Sequence, residues 1–323
     1  MQLKHYFEAL SLGRYRLTIT LKERARLPEY KGSTLRGGFG YVFKRLVCSA
    51  RHPSCEECIL KTSCPYSYVF ETPRPQDAKM MRLYPQIPRP FVINPPRDKR
   101  RELTPGDTLE FGLVLIGKAI DSLPYFVYTF DKLGDAGLGV DRARFELSRV
   151  NAVLADGRLR TVYDPDKQTI GDGCAVAACE LVGRHAGSRL TLHFHSPLRL
   201  RSKGKIADRL QFRPFFATLL RRVSALSYFH CGLELKLDFK GLVEAASTVE
   251  RVADETRWYR WGRFSKRQGR RIELGGLLGK VSFEGELDGF WPWLELGEVL
   301  HVGKATTFGL GDFELVDSAL EKA

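Results

Sequence analysis

An ordered series of segments recurs along this chain at a nearly constant spacing, 172 to 173 residues for its first strand, its later strand and its Gly-Leu-Gly loop, and that periodicity constrains its fold more than any other feature. Arg16-Leu17-Thr18-Ile19-Thr20-Leu21 returns as Arg189-Leu190-Thr191-Leu192-His193-Phe194. Both alternate apolar and polar side chains, the pattern of a strand with one buried face. Each leads through a basic, glycine-containing connection, Lys31-Gly32 and then Lys203-Gly204, into an amphipathic helix. In the first helix Leu35, Phe39, Val42, Phe43 and Leu46 share one face, and in the second Phe215, Phe216, Leu219, Leu220 and Val223 do. Pro214 sits where a helix starts, and the helices end in Lys44-Arg45 and Arg221-Arg222.

The later part of each copy matches too. Strands are predicted around Leu109–Leu113 and Val281–Gly285, then helices over about 122–133 and 290–300. Each helix is followed by a loop ending in Gly-Leu-Gly, at 137–139 and 309–311, and by Phe-Glu-Leu at 145–147 and 313–315. Strand, helix, further strands, helix, glycine loop and strand is the split βαβ order of a ferredoxin-like domain. The chain therefore reads as α+β, with tandem ferredoxin-like domains over 1–165 and 185–323. Asp164-Pro165-Asp166 and Gly171-Asp172-Gly173 mark turns or linker between them. The hairpin strands in the middle of each copy are too irregular to place.

A net charge of +13 points to an anionic partner, and its distribution sharpens the point. Eight basic residues and one acid fall between Arg199 and Arg222, including Arg199, Arg201, Lys203 and Lys205. A second run holds Arg257, Arg260, Arg263, Lys266, Arg267, Arg270 and Arg271 with no acid, interleaved with Trp258, Tyr259, Trp261 and Phe264. Such a mixture suits phosphate contacts and base stacking; the plainer reading is a solvated charged face over core aromatics.

Cys48, Cys55, Cys58 and Cys64 form C-x6-C-x2-C-x5-C just after the first helix. Four soft ligands in so short a span suit a structural tetrahedral zinc, with an iron–sulfur cluster as the second option and four reduced thiols as the simplest one. The first domain thus carries a small cysteine insert at 48–64. Cys174, Cys179 and Cys231 are scattered and read as small core residues.

Residues 301–313, His-Val-Gly-Lys-Ala-Thr-Thr-Phe-Gly-Leu-Gly-Asp-Phe, form a glycine-rich loop in which Gly303, Gly309 and Gly311 would let backbone approach a phosphate and Lys304 adds charge. It lacks the P-loop signature. With the two-fold repeat and the Leu35-Arg36-Gly37 helix start, this loop resembles the RAMP superfamily. Trp261-x-Arg263-Phe264-Ser265-x-Arg267-Gln268 and Gly275-Gly276-Leu277-Leu278-Gly279 are similar to the precursor-crRNA processing endoribonucleases of CRISPR systems. Cys58 to Thr72, with Cys64-Pro65-Tyr66 and Phe70-Glu71-Thr72, resembles the cysteine-bearing bacterial members.

That resemblance implies binding of a CRISPR repeat RNA and cleavage of one phosphodiester without a catalytic metal. The RNA's own 2′-hydroxyl would attack, leaving a 5′-hydroxyl and a 2′,3′-cyclic phosphate, with zinc in the cysteine insert purely architectural. The protein must then supply a base, an acid and a cation for the phosphorane. The family often places a histidine in or after the first helix, yet residues 22–47 contain none. Candidates are His52, close to the cysteines; Tyr30, Lys31, Arg36, Tyr41 and Lys44 on the helix and its approach; and His301 before the glycine loop. Each has an ordinary reading beside the catalytic one: a surface or cysteine-site histidine, a solvated helix face, or a cation at a helix C-terminus. His193 and His195 share one strand face, which a polar surface explains without catalysis. No paired carboxylates suggest a metal nuclease.

The second functional reading is a non-catalytic RAMP subunit that holds crRNA in a CRISPR effector complex, with other effector subunits as partners. A zinc-stabilised nucleic-acid binder outside CRISPR biology is the third. The N-terminus lacks a signal-peptide core and no apolar run is long enough to span a bilayer, so a cytoplasmic protein without a membrane partner is expected.

Overall fold

The computed structural model describes residues 2–83, 86–167, 169–202, 205–265 and 269–316. The chain divides into two units, Met1–Ala177 with Ala225–Leu233, and Ala178–Ser224 with Glu234–Ala323.

Within the first unit, the strand Ser11–Leu21 is central and antiparallel to both Thr108–Ile116 and Phe145–Val153. Phe91–Asn94 pairs with the outer side of Thr108–Ile116. The spatial order Phe91, Thr108, Ser11, Phe145 is that of a ferredoxin-like sheet. Tyr15, Leu17, Ile19 and Leu21 alternate inward, beneath the helices Gly32–Val47 and Leu123–Ala136. Phe39 is the centre of this core: its ring lies 4.7 Å from that of Phe126, 4.9 Å from Phe130 and 5.4 Å from Phe43. Leu46 departs from the predicted apolar stripe, being 40% exposed where the helix runs out past the core.

The second unit repeats the arrangement. Arg189–Leu198 lies between Gly276–Glu284 and Phe313–Val316, and Glu250–Asp254 completes the order on the far side of Gly276–Glu284. Phe215, Phe216, Leu219, Leu220 and Val223 of the helix Phe212–Cys231 are all buried, as their spacing requires. Trp291–Leu300 is the second helix. Two ferredoxin-like folds in tandem are thus present, and the middle strands that the sequence left unplaced are Phe91–Asn94 and Glu250–Asp254.

The stretch read as turns or linker is more ordered than expected. Leu159–Asp164 and Thr169–Ile170 extend the first sheet, and Val176–Ala177 pairs with the start of Ser11–Leu21. The Tyr15 hydroxyl donates to the Gly173 carbonyl at 2.7 Å, and Cys174 is buried while Cys179 and Cys231 are only partly so. Among the described residues, no helix is long and apolar enough to cross a membrane.

Candidate nucleic-acid interface and active site

Helix Gly32–Val47 sorts the candidates of the first unit by exposure. Its inward face is fixed by Leu35, Phe39 and Phe43, which leaves Arg36, Tyr41 and Lys44 on the flank and outer face. The Arg36 guanidinium lies 4.6 Å from the Phe70 ring centre and the Lys44 ammonium 5.5 Å from that of Tyr66. Aromatic faces hold both cations at the helix surface. Tyr41 is 62% exposed, and Arg45 donates to its hydroxyl at 3.4 Å. Tyr30, on the approach to the helix, is half-buried.

Lys31 differs from the catalytic expectation. It is 1% exposed, and its Nζ donates to the carbonyls of Asp98 at 2.6 Å and Arg100 at 2.8 Å. Burial lowers its pKa from the ordinary lysine value, while the nearby Asp98 carboxylate works against that shift. Its ammonium closes a loop rather than meeting substrate.

All four cysteines of the insert, together with His52, line one cavity of about 150 Å³. Burial pushes the Cys55 thiol up, with Lys44 pulling the other way. His52 Nδ1 sits 2.7 Å from the Ser54 carbonyl oxygen and 3.2 Å from the Ser54 amide nitrogen, so the ring is tied to its own loop. The donor set, four thiols with a histidine beside them, suits zinc.

A groove of about 390 Å³ on the first unit was not singled out from sequence. Arg14, Arg16, Asn94 and Arg97 line it, the first two on the face of the central strand opposite the helices. The outward alternation of Arg14 and Arg16 was the available signal.

In the second unit the strand Arg257–Tyr259 pairs with Leu278–Gly276 and exposes Arg257 and Trp258, the latter to 44%; Arg260 follows, also exposed. Gly262–Ser265 and Arg270–Glu273 form a hairpin that sets Arg263 opposite Ile272, and Arg270 and Arg271 opposite Ser265 and Phe264. Lys203, Lys266 and Arg267 lie outside the described residues. Arg201 and Lys205 are exposed on a two-stranded ribbon. Arg199 is partly buried and donates to the Gly275 carbonyl at 2.5 Å, and burial lowers its pKa.

The glycine loop is stitched to its own sheet, which corrects the anion-nest reading. The Lys304 amide donates to the Arg199 carbonyl, that of Gly309 to Thr306, and that of Gly311 to Pro197. Gly303, Gly309 and Gly311 have φ of 88°, 80° and 71°. A Cβ at Gly303 would meet the Arg199 carbonyl oxygen at 2.6 Å, and one at Gly311 would collide with the Val302 carbonyl. The glycines serve backbone packing, and the exposed Lys304 side chain is what the loop offers a phosphate.

His301 is likewise corrected. It ends helix Trp291–Leu300 at φ 58°, is 0% exposed, and has no well-aligned hydrogen bond at either ring nitrogen. Asp312 Oδ1 is 3.6 Å from Nε2. Burial first, and then the charge of Arg222, pull its pKa from 6.5 down to about 3, against the backbone of Leu310 and Gly309. Arg222 itself, capping Leu300 through Nε at 2.9 Å, is lowered by burial to about 10. A neutral, enclosed imidazole does not reach substrate.

Comparison with known families fits this geometry. A model described as "CRISPR-associated endoribonuclease Cas6" matches residues 192–313, spanning the strands and loop that carry Arg257, Arg260 and Lys304. That match covers residues 192–313 alone, and over them the chain is similar to the Cas6 family. A second model, the AF_1859 N-terminal domain, covers residues 10–173, just over half of the chain, and the chain belongs to that family. An uncharacterized protein of Archaeoglobus fulgidus is 24% identical over 291 residues, covering 90% of this chain and 92% of its own. The product complex of a Cas6 (TTHB231) has a TM-score of 0.57 at 17% identity, covering 94% of this chain and 99% of the other. The Thermus thermophilus Cas6 of the same designation gives 0.54 at 16% identity, covering 95% and 99%. A partial Cas6-RT-Cas1–Cas2 complex gives 0.56 at 15% identity, covering 96% of this chain and 47% of that one. At these identities the structural likeness is one of fold.

Proposed function

We propose that this chain cuts CRISPR repeat RNA by attack of the RNA's own 2′-hydroxyl, without a catalytic metal. The observation that carries the reading is the Cas6 match lying on the exposed cation–aromatic strand Arg257–Tyr259, with Arg260 beside it. Those side chains suit phosphate contact and stacking of unpaired bases. In the reaction the 2′-oxygen bonds to phosphorus as its proton passes to a base. The bond to the 5′-oxygen breaks as that oxygen takes a proton from an acid, leaving 2′,3′-cyclic phosphate and 5′-hydroxyl ends. Arg36 and Lys44, oriented by the rings of Phe70 and Tyr66, are suited to the phosphorane charge. Tyr30, Tyr41 and His52 are the remaining proton carriers, since Lys31 and His301 are enclosed.

Cleavage of the host's repeat RNA in EDTA, with and without a 2′-deoxy at the cut site, tests this. Cutting that persists in EDTA and stops with the 2′-deoxy substrate is expected. Tight binding without cutting would instead support the second reading, a non-catalytic subunit holding crRNA among other effector subunits. The absence of histidine from 22–47 and the burial of His301 favour that reading. The Cas6-RT-Cas1–Cas2 relative makes other Cas proteins reasonable partners under either one.

For the cysteine insert, a structural zinc is proposed, held by Cys48, Cys55, Cys58 and Cys64. The shared cavity and the all-thiol donor set support it. Metal analysis of wild type and Cys55→Ser/Cys58→Ser should show one zinc lost together with a lower melting temperature. Unchanged metal content and melting would dismiss it.

A further inference from the structure

His193 and His195 stand two residues apart on the strand Arg189–Leu198, so both project from the same face, away from the buried Leu192 and Phe194. Glu314, on the adjoining strand Phe313–Val316, is directly opposite His193 in the register. Its carboxylate reaches both rings: Oε1 lies 3.2 Å from His193 Nδ1 and Oε2 lies 2.9 Å from His195 Nε2. The two ring centres are 4.3 Å apart. The three donor atoms all fall within 4.8 Å of one another, the only such set of His, Cys, Asp and Glu among the described residues.

We propose that His193, His195 and Glu314 form a binding site for a divalent transition metal, separate from the cysteine insert and from RNA cleavage. Two imidazole nitrogens and one carboxylate oxygen select zinc, cobalt, nickel or copper over magnesium or calcium, which prefer all-oxygen shells. Donor separations near 3 Å are those a single ion with bonds of about 2.0–2.2 Å imposes on neighbouring ligands. Side-chain exposures of 32% for His193 and 40% for Glu314 give an ion a path from solvent, while His195 Nε2 itself is buried.

The repeat supplies an internal control. At the 173-residue offset His193 and His195 correspond to Thr20 and Lys22, and Glu314 answers to Glu146 in the paired Phe-Glu-Leu segments. In the first copy Glu146 lies opposite Thr20 in the register and takes a plain ion pair from Lys22 at 3.0 Å. The fold therefore satisfies this carboxylate with one lysine, and a pair of histidines is not needed for stability at that position. What the second copy gains is two imidazole nitrogens against the same carboxylate. Lys280, opposite His193 on the other flanking strand, adds a positive neighbour that weakens cation binding. Because, among the described residues, Phe313–Val316 is the edge strand of its sheet and pairs only with Arg189–Leu198, a bound ion would also staple that edge.

Titration of the full chain with Co²⁺, read by visible absorption, tests the site. Nitrogen and oxygen ligation gives ligand-field bands without the sulfur-to-cobalt charge transfer that cysteine ligation adds, so the two sites are told apart in one spectrum. The wild type should take up one Co²⁺ per chain with the nitrogen–oxygen signature. His193→Thr/His195→Lys, which installs the first copy's arrangement, should lose that equivalent while keeping the metal-free melting temperature and any sulfur-ligated band. Glu314→Gln should weaken uptake and Lys280→Gln should tighten it. Absence of a nitrogen–oxygen spectrum in the wild type, or its persistence in the double variant, overturns the proposal.

Discussion

His301 is expected to remain neutral far below the pH at which an ordinary histidine protonates, and replacing it should change how the second unit responds to acid. Its pKa is drawn from 6.5 to about 3 by burial and by Arg222. Between those values the unfolded chain binds a proton that the folded chain refuses, so stability rises with pH across that window and is unaffected by this group above it. Each pH unit is worth about 1.4 kcal/mol, which brings the loss to about 3 kcal/mol at pH 4 and at most about 5 kcal/mol at full protonation. His301→Asn is the appropriate perturbation, because asparagine tolerates the left-handed backbone at φ 58° and does not titrate. At neutral pH the variant carries a fixed packing penalty; from pH 6.5 down to 4 it should lose less stability than wild type by the amounts above. Histidine-labelled NMR gives the direct assay: the one resonance missing from the variant should show no titration in wild type between pH 8 and 4.5. A midpoint near 6.5 for that resonance, or equal acid slopes in urea unfolding of the two proteins, would refute the reasoning.

Other outcomes follow from the same structure. Lys31→Met should destabilise the first unit by about 1–3 kcal/mol, since two carbonyls lose their donor, yet leave cleavage per folded molecule unchanged; loss of cutting in folded protein would restore Lys31 to the active site. Glu295 is fully buried and accepts hydrogen bonds from the backbone amides of Gly183, Arg184 and His185. Glu295→Ala should therefore cost about 3–5 kcal/mol, read as a lowered melting temperature, whereas a neutral result would mean water replaces the carboxylate. Charge reversal at Arg257 and Arg260 should weaken RNA binding and flatten its salt dependence by roughly 0.7 in log–log slope per lost single-strand phosphate contact; an unchanged slope would reduce these residues to surface charge.

The repeat, its strands and its four main helices were legible because each element buries one face locally, and a face leaves its period in the sequence. Phe215 to Val223 and Tyr15 to Leu21 are core for that reason. Phe91–Asn94 and Glu250–Asp254 were not legible, being short strands, one of them reached after the cysteine insert and its trailing loop. Leu46 shows the opposite failure, where the period continues beyond the surface it should cover.

The sequence alone determined the two-fold α+β plan, the basic and aromatic character of 257–271 and the clustering of four cysteines, since all are properties of local composition and spacing. Only the tertiary structure decided which polar groups meet solvent. Lys31 is enclosed by carbonyls 67 and 69 residues away, and His301 shares the interior with Arg222 from another helix. Glu314 reaches His193 across 121 positions, and His195 beside it, by strand pairing alone. Burial and donor geometry depend on the packing of distant segments against one another, and no local pattern encodes them.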